Sequence, residues 1–286
     1  METNPYTDRR HLIGKGYRHP DQLSARRLIY QFGERKHDLP TLVLEHIPDE
    51  DRLVVDVGCG DGRFICHIRD KRRSQRLVGI DISAAIVQGI SAVAPVVLAD
   101  AEKIPLADST AACVLAIHML YHVNDIGAAM REFSRVLTPD GRLIVSTYAT
   151  NDRQELHDLW SAAVENSPER SIRWASFSSR FAVRDAMEHM DRNFVDVRLI
   201  EINETIDIHE AHSVIAHLSA YRPWVQASNQ QFENIIGRMR SLLTRIVACE
   251  GKFSVTSRLA LIVGDRPKRT ARNLPPSSKH AEHPSR

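Results

Sequence analysis

Hydrophobic positions along this chain fall into short unbroken runs, separated by stretches in which apolar residues recur every three or four places. Leu53-Val54-Val55 with Val57, Leu77-Val78-Gly79-Ile80, Val96-Val97-Leu98, the run 112–119 and Leu143-Ile144-Val145 have strand length. Strands covered on both faces read as continuous apolar runs, not as an alternation. The intervening stretches have helical spacing. In 125–136, Ile126, Ala129, Met130, Phe133 and Val136 share one face. Helices are also predicted from Asp21, a candidate N-cap, at 39–46 and 64–70, and at 84–93 behind a capping Ser83. Strand and helix alternate, which specifies an α/β fold with parallel strands.

Past residue 150 the pattern loosens. A helix is expected over 151–166, a polar connection with Trp174 over 165–177, a helix over 181–194 and a strand over 194–207. Two helices, 209–219 and 231–248, precede a last strand at 254–263. The Pro-Pro-Ser-Ser stretch and mixed charges after 264 predict disorder. The domain reading is a helical cap at 1–48, a core at 49–208, a lid at 209–250, the last core strand at 251–264 and a tail at 265–286.

Composition narrows the function classes. The chain has 286 residues, enough for one α/β domain with an elaboration or for two lobes. Lys and Arg total 38 against 36 Asp and Glu, so no net field draws the chain to nucleic acid or to a membrane. No apolar run approaches the ~20 residues that span a bilayer, and the N-terminus has no signal-like apolar core. Cys59, Cys66, Cys113 and Cys249 form no C-x-x-C pair and read as reduced thiols, with Cys113 and Cys249 in the core. A cytoplasmic protein is expected.

The chemistry-bearing stretch is Asp56-Val57-Gly58-Cys59-Gly60-Asp61-Gly62, between a strand and a helix. Glycine lets backbone approach a ligand closely, and the following helix offers free N–H groups. Dinucleotide sites read G-x-G-x-x-G. Here the spacing is D-x-G-x-G-x-G, which disfavours NAD. Asp81 ends the second strand about twenty residues past the loop, where a carboxylate can accept both hydroxyls of a ribose.

This set resembles class I S-adenosylmethionine (SAM) dependent methyltransferases of the bacterial small-molecule type. The glycine loop matches that family's first motif. Asp100-Ala101-Glu102-Lys103-Ile104-Pro105 matches its D-A-E-x-(I/L)-P segment. His118-Met119-Leu120-Tyr121-His122-Val123 matches N-M-L-Y-H-V with His in place of Asn. Residues 137–145 match L-x-P-G-G-x-L-x-(V/I), and Tyr17–Arg26 loosely match Y-x-D-P-x-x-L-x-x-R. The resemblance implies a Rossmann-like, seven-stranded, mostly parallel sheet with helices on both faces and a helical lid. It implies SAM as cofactor and S-adenosylhomocysteine (SAH) as product. Cofactor contacts would come from Tyr17, Arg26, Asp56, Gly58, Cys59, Gly60, Asp81, Ile82, Asp100, Ala101, Glu102 and His118. In particular, Tyr17 would close over the cofactor, Arg26 approach its carboxylate, Asp56 its methionine part, Asp81 the ribose, and Asp100 with Ala101 the adenine.

His118 and His122, with Tyr121 between them, end strand four, where the methyl group should point. Either imidazole can accept a proton or merely hold the acceptor. No metal is expected, since H-x-x-x-H lacks a third ligand. The expected activity is methyl transfer to an O or N atom of a small molecule in specialised metabolism. RNA methylation would call for a basic face or an N/D-P-P-Y motif, and neither is present. A non-catalytic regulator on the same fold would be expected to lose the loop glycines or acids, which are intact. A homodimer remains an open alternative for the inserted helices.

Overall fold

The computed structural model describes residues 4–18, 20–33, 38–48 and 51–268. His19 and most of the expected disordered tail, 269–286, lie outside the described residues. Seven strands form one sheet: β1 Val54–Val57, β2 Leu77–Asp81, β3 Val96–Leu98, β4 Ala111–Ile117, β5 Leu137–Tyr148, β6 Phe194–Ile208 and β7 Phe253–Pro267. Their order is β3-β2-β1-β4-β5-β7-β6. The first five pair in parallel, and β7 runs antiparallel to both β5 and β6. The chain order reverses at β1, whose Val55 lies between Val78 and Val114. Ligands of open α/β sheets bind beyond the strand ends at such a reversal.

The helices are α1 Arg9–His11, α2 Pro20–Arg27, α3 Leu39–His46, α4 Arg63–Lys71, α5 Ile126–Val136, α6 Gln154–Val164, α7 Val183–Asn193, α8 Ala211–Ser219 and α9 Asn229–Glu250. Alternate residues of each central strand point into opposite cores. Val55, Val57, Val114 and Ala116 join Phe133 of α5, Trp160 of α6 and Met190 of α7. Val54, Cys113 and Leu115 join Val43 of α3 with Ile65 and Ile68 of α4.

The structure corrects several sequence expectations. Residues 84–93 form a chain of turns and no helix. Their amides bond three residues back, as Ile90 N to Val87 O at 3.0 Å and Val93 N to Ile90 O at 2.7 Å. Burial of Ile86, Val87 and Ile90 under the glycine loop overrides the helical pattern. Ser83 caps nothing there; its hydroxyl donates to Tyr17 O at 3.1 Å. Asp21 lies inside the first turn of α2 and so is not its N-cap. The last strand runs to Pro267, so 265–267 belong to the sheet and not to the tail. Cys249 is exposed on α9 and is not a core residue.

Strands β6 and β7 pair from Phe194 opposite Pro267 to Ile208 opposite Phe253, well past Tyr148 at the end of β5. This hairpin carries α8 and α9 over the C-terminal edge of the sheet. The Arg238 side chain of α9 donates to Ala163 O of α6 at 2.6 Å and to Glu169 at 2.7 Å. His217 of α8 donates from Nδ1 to Arg26 O of α2 at 2.8 Å. These bonds tie α8 to α2, and α9 to α6 and the stretch that follows it.

Gly62 starts α4 with φ 75°, and a Cβ there would lie 2.7 Å from Ile90 Cγ1. An L side chain in the left-handed region costs about 1–2 kcal/mol before any contact is counted. Gly62→Ala should therefore lower the unfolding free energy in urea by about 2 kcal/mol or more. Gly89→Ala, where a Cβ meets nothing within 4 Å, should leave it almost unchanged.

Candidate active site

Every site residue singled out in the sequence lines one cavity of about 930 Å³ beyond the strand ends. Its floor is the loop after β1. Gly58 N and Cys59 N donate to Ile80 O at 2.7 and 3.1 Å, fixing the loop on β2. Gly58 and Gly60 have φ of 71° and 54°. A Cβ on Gly58 would lie 2.7 Å from Met119 Cβ, so glycine there lets the loop after β4 close in. A Cβ on Gly60 would meet only Leu23 Cδ1, at 3.5 Å, and Gly58 O, at 4.0 Å. Burial pushes the Cys59 thiol well above its ordinary range, so it is a packed thiol and no nucleophile.

Two acids face this floor. Asp81 is held by both oxygens, accepting from Gly60 N and from Ser83 N at 2.9 Å each. Asp56 is 3% exposed, and its Oδ2 has no hydrogen-bond partner among the described residues. Burial first, then the neighbouring Asp81 and Asp61, push its carboxyl up to about 8. An unpartnered buried carboxylate beside a glycine cradle fits the cationic amino-acid end of SAM. Ile82 and Ala101 line the same cavity. Asp100 Oδ1 accepts from Glu102 N at 3.0 Å. Glu102 Oε1 accepts from Asn124 N and Asp125 N at 3.0 and 2.9 Å, tying the loop after β3 to the loop after β4.

The loop after β4 holds the two histidines in different ways. His118 adopts φ 52°, and its amide donates to Ser146 O at 3.0 Å. Its ring stacks on Tyr148 at 4.4 Å, Nε2 lies 3.3 Å from the Ser146 hydroxyl, and Nδ1 has no partner among the described residues. Burial, then Arg153 and Arg63, pull this imidazole down to about 3. His122 has both nitrogens engaged. Nδ1 donates to Tyr6 O at 2.9 Å, so Nε2 accepts from the Tyr17 hydroxyl at 2.5 Å. Burial dominates here too and pulls His122 down to about 3, against the opposing Tyr6 carbonyl. The His122 ring packs among Tyr17, Phe177 and Trp224, and Tyr121 stacks on Phe177 at 4.8 Å.

Arg26 sits at the centre of this cluster, 9% exposed. Its Cζ is 5.2 Å from the Tyr17 ring centroid and 5.4 Å from that of Tyr221. Nη2 donates to Gly16 O at 3.3 Å, Nη1 to the Tyr17 hydroxyl at 3.4 Å, and Nε has no partner among the described residues. Sequence reasoning missed the far wall: Tyr30, Tyr148, Arg153, Phe177 and Tyr221. Tyr148 could have been found, since it ends β5 beside the motif strands. Nothing in the sequence around Arg153, Phe177 or Tyr221 marks them. Among the described residues no cluster of His, Cys, Asp and Glu could hold a metal, and no helix is long and apolar enough to cross a membrane.

A doubly wound sheet, a glycine cradle and strand-end acids together define a nucleotide-type cofactor domain. Residues 55–145 match the family described as a methyltransferase domain. A malonyl-[acyl-carrier protein] O-methyltransferase from Legionella pneumophila is 30% identical over 126 residues, covering 42% of this chain and 44% of the relative. One from Halorhodospira halophila is 26% identical over 223 residues, covering 75% of this chain and 70% of the relative. The match to the first of these thus spans under half of the relative's length. A Haemonchus contortus phosphoethanolamine N-methyltransferase 2, solved with phosphomonomethylethanolamine and S-adenosylhomocysteine, superposes with a TM-score of 0.55 at 12% identity, covering 91% of this chain and 60% of that one. Residues 55–145 thus carry a methyltransferase domain, on a fold like that of SAM-dependent methyltransferases, and SAM is the cofactor that this domain indicates.

The Asp56 carboxyl gives a stability signature. Its folded pKa of about 8 lies above the ordinary carboxylate value of about 4, so the fold favours the protonated form. That contribution is complete below about pH 4 and is lost as pH rises toward 8. Without cofactor, the melting temperature of Asp56→Asn should therefore gain on wild type steadily from pH 5 to pH 8. Parallel melting curves across that range would remove the buried, protonated carboxyl from the site.

Proposed function

We propose that this protein transfers the methyl group of SAM to an oxygen or nitrogen atom of a small molecule. The observation that carries this is the continuity of one cavity, from the glycine loop and acids, past His118, to an aromatic wall of Tyr121, Tyr148, Phe177 and Tyr221. Cavities of this size bury a drug-sized ligand. The relatives' names include one oxygen and one nitrogen acceptor, in keeping with either atom here.

SAM supplies an activated methyl group on sulfur. In this reading Asp56 receives its amino group, Arg26 its carboxylate through the free Nε, Asp81 the ribose and Asp100 with Ala101 the adenine. Tyr17 closes over the site. Its hydroxyl donates to His122, whose other nitrogen holds the Tyr6 carbonyl, so His122 locks the cap onto the loop. His118, with Tyr148 stacked on it, and Tyr121 shape the place where the acceptor meets the methyl group. Alignment of the two reactants can supply much of the barrier reduction. An imidazole pulled down to about 3 accepts protons poorly at neutral pH, so positioning is the role of both histidines.

Incubation with methyl-labelled SAM and fractionated extract should place label in small molecules. Label confined to RNA, or bound SAM with no transfer in any fraction, would overturn the reading. With a substrate in hand, His118→Asn should lower kcat by less than about a hundredfold and keep the pH profile, because loss of a general base costs ~10²–10⁴-fold. A larger loss together with a vanished pH dependence would make His118 the base.

A further inference from the structure

The wall opposite the glycine loop contains a second buried guanidinium. Arg153 is 8% exposed and lines the cavity. It precedes α6 with φ 50°, a left-handed conformation that a non-glycine residue rarely adopts. Its amide donates to Thr256 O at 2.9 Å, which ties that backbone to β7. Nε donates to Asp152 at 2.6 Å, and Nη1 lies 3.4 Å from the Tyr221 hydroxyl. Nη2 has no protein partner among the described residues. The guanidinium carbon is 4.7 Å from the Tyr148 ring centroid, and Tyr148 stacks on His118. Arg153 therefore stands one aromatic ring away from the end of β4.

Charge makes this donor more than a packing residue. Arg26 and Arg153 both approach Tyr221, against one buried partner carboxylate, Asp152. Asp152 is itself committed, accepting from Arg258 N at 2.7 Å. Buried guanidinium groups take planar anions through paired N–H donors. Glu204 offers the opposite chemistry, with Oε1 unpartnered among the described residues, but it lies against Gly33 on the wall between β6 and the cap. His122, engaged at both nitrogens, has none free to remove a proton from an alcohol or ammonium. A carboxylate needs no such base.

Resting on the methyltransferase reading above, we propose that the acceptor is a carboxylate held by Arg153 and that the product is its methyl ester. A lone pair of the carboxylate oxygen forms the new O–CH3 bond as the S–CH3 bond breaks. The bonding pair stays on sulfur, so an anion and a sulfonium become a neutral ester and a neutral thioether. No proton moves.

The test has a binding arm and a transfer arm on the full chain. The SAH complex is titrated with 4-phenylbutyrate, its amide and the matching amine. The acid should bind at least tenfold tighter than the amide. Arg153→Met alone would strand the Asp152 carboxylate, so the comparison uses Arg153→Met/Asp152→Asn, with SAH affinity as the check on folding. That variant should bind SAH as wild type does and lose the preference for the acid. Equal binding of acid and amide, an amine preference, or a preference unchanged in the variant would overturn the proposal. In the transfer arm, label from methyl-labelled SAM should be released from extract products by alkali as methanol. Ester label passing a small-pore filter marks a free acid, and ester label retained marks an acid borne on a carrier. Label in alkali-stable ethers or amines alone would overturn the carboxylate proposal while leaving the methyltransferase reading standing. No label in any product, with SAM bound, would overturn the methyltransferase reading itself.

Discussion

The closed end of this molecule depends on the burial of Arg26. A guanidinium withdrawn from water needs donors satisfied and charge compensated. Arg26 finds a main-chain carbonyl at Gly16, the Tyr17 hydroxyl, and the faces of Tyr17, Phe177, Tyr221 and Trp224. Its own carbonyl accepts from His217 of α8. One residue therefore joins the cap, the loop beneath it and the inserted helices. Cation–π contact with several rings substitutes in part for the carboxylate that buried arginines usually require.

The same dryness sets the electrostatics of the site. Desolvation holds His118 and His122 neutral and Asp56 protonated, while the hydrogen bonds from Gly60 and Ser83 oppose it at Asp81. Acid and imidazole groups that look chemically busy in the sequence are quiet in the fold. Buried charge in the far wall sits on the Arg153 guanidinium and its Asp152 partner.

Much of the first half was legible because its signals are local. The β1 run, the glycine loop and Asp81 obey short-range geometric rules, and they fall where those rules put them. The parallel pairing up to β5 followed from the alternation with helices. Residues 84–93 misled because their apolar spacing fits a helix, yet Ile86, Val87 and Ile90 are spent on covering the glycine loop. Cys249 misled because apolar neighbours on α9 face the core while it faces out. Arg153 and Tyr221 were illegible for a different reason. They meet only through the β6–β7 hairpin, and contacts between residues so far apart in the chain leave no pattern along it.

The methyltransferase family match stops at residue 145, three places before Tyr148. The wall of Tyr148, Arg153, Phe177 and Tyr221 is thus built from chain beyond that boundary. The part that cradles the glycine-loop end and the part that faces it are separate stretches of sequence, meeting across one cavity. Mutational drift in the later stretch can reshape the far wall without touching the cradle. The chain beyond residue 145 behaves as an interchangeable jaw on a fixed vice, and divergence among relatives should be concentrated on the jaw.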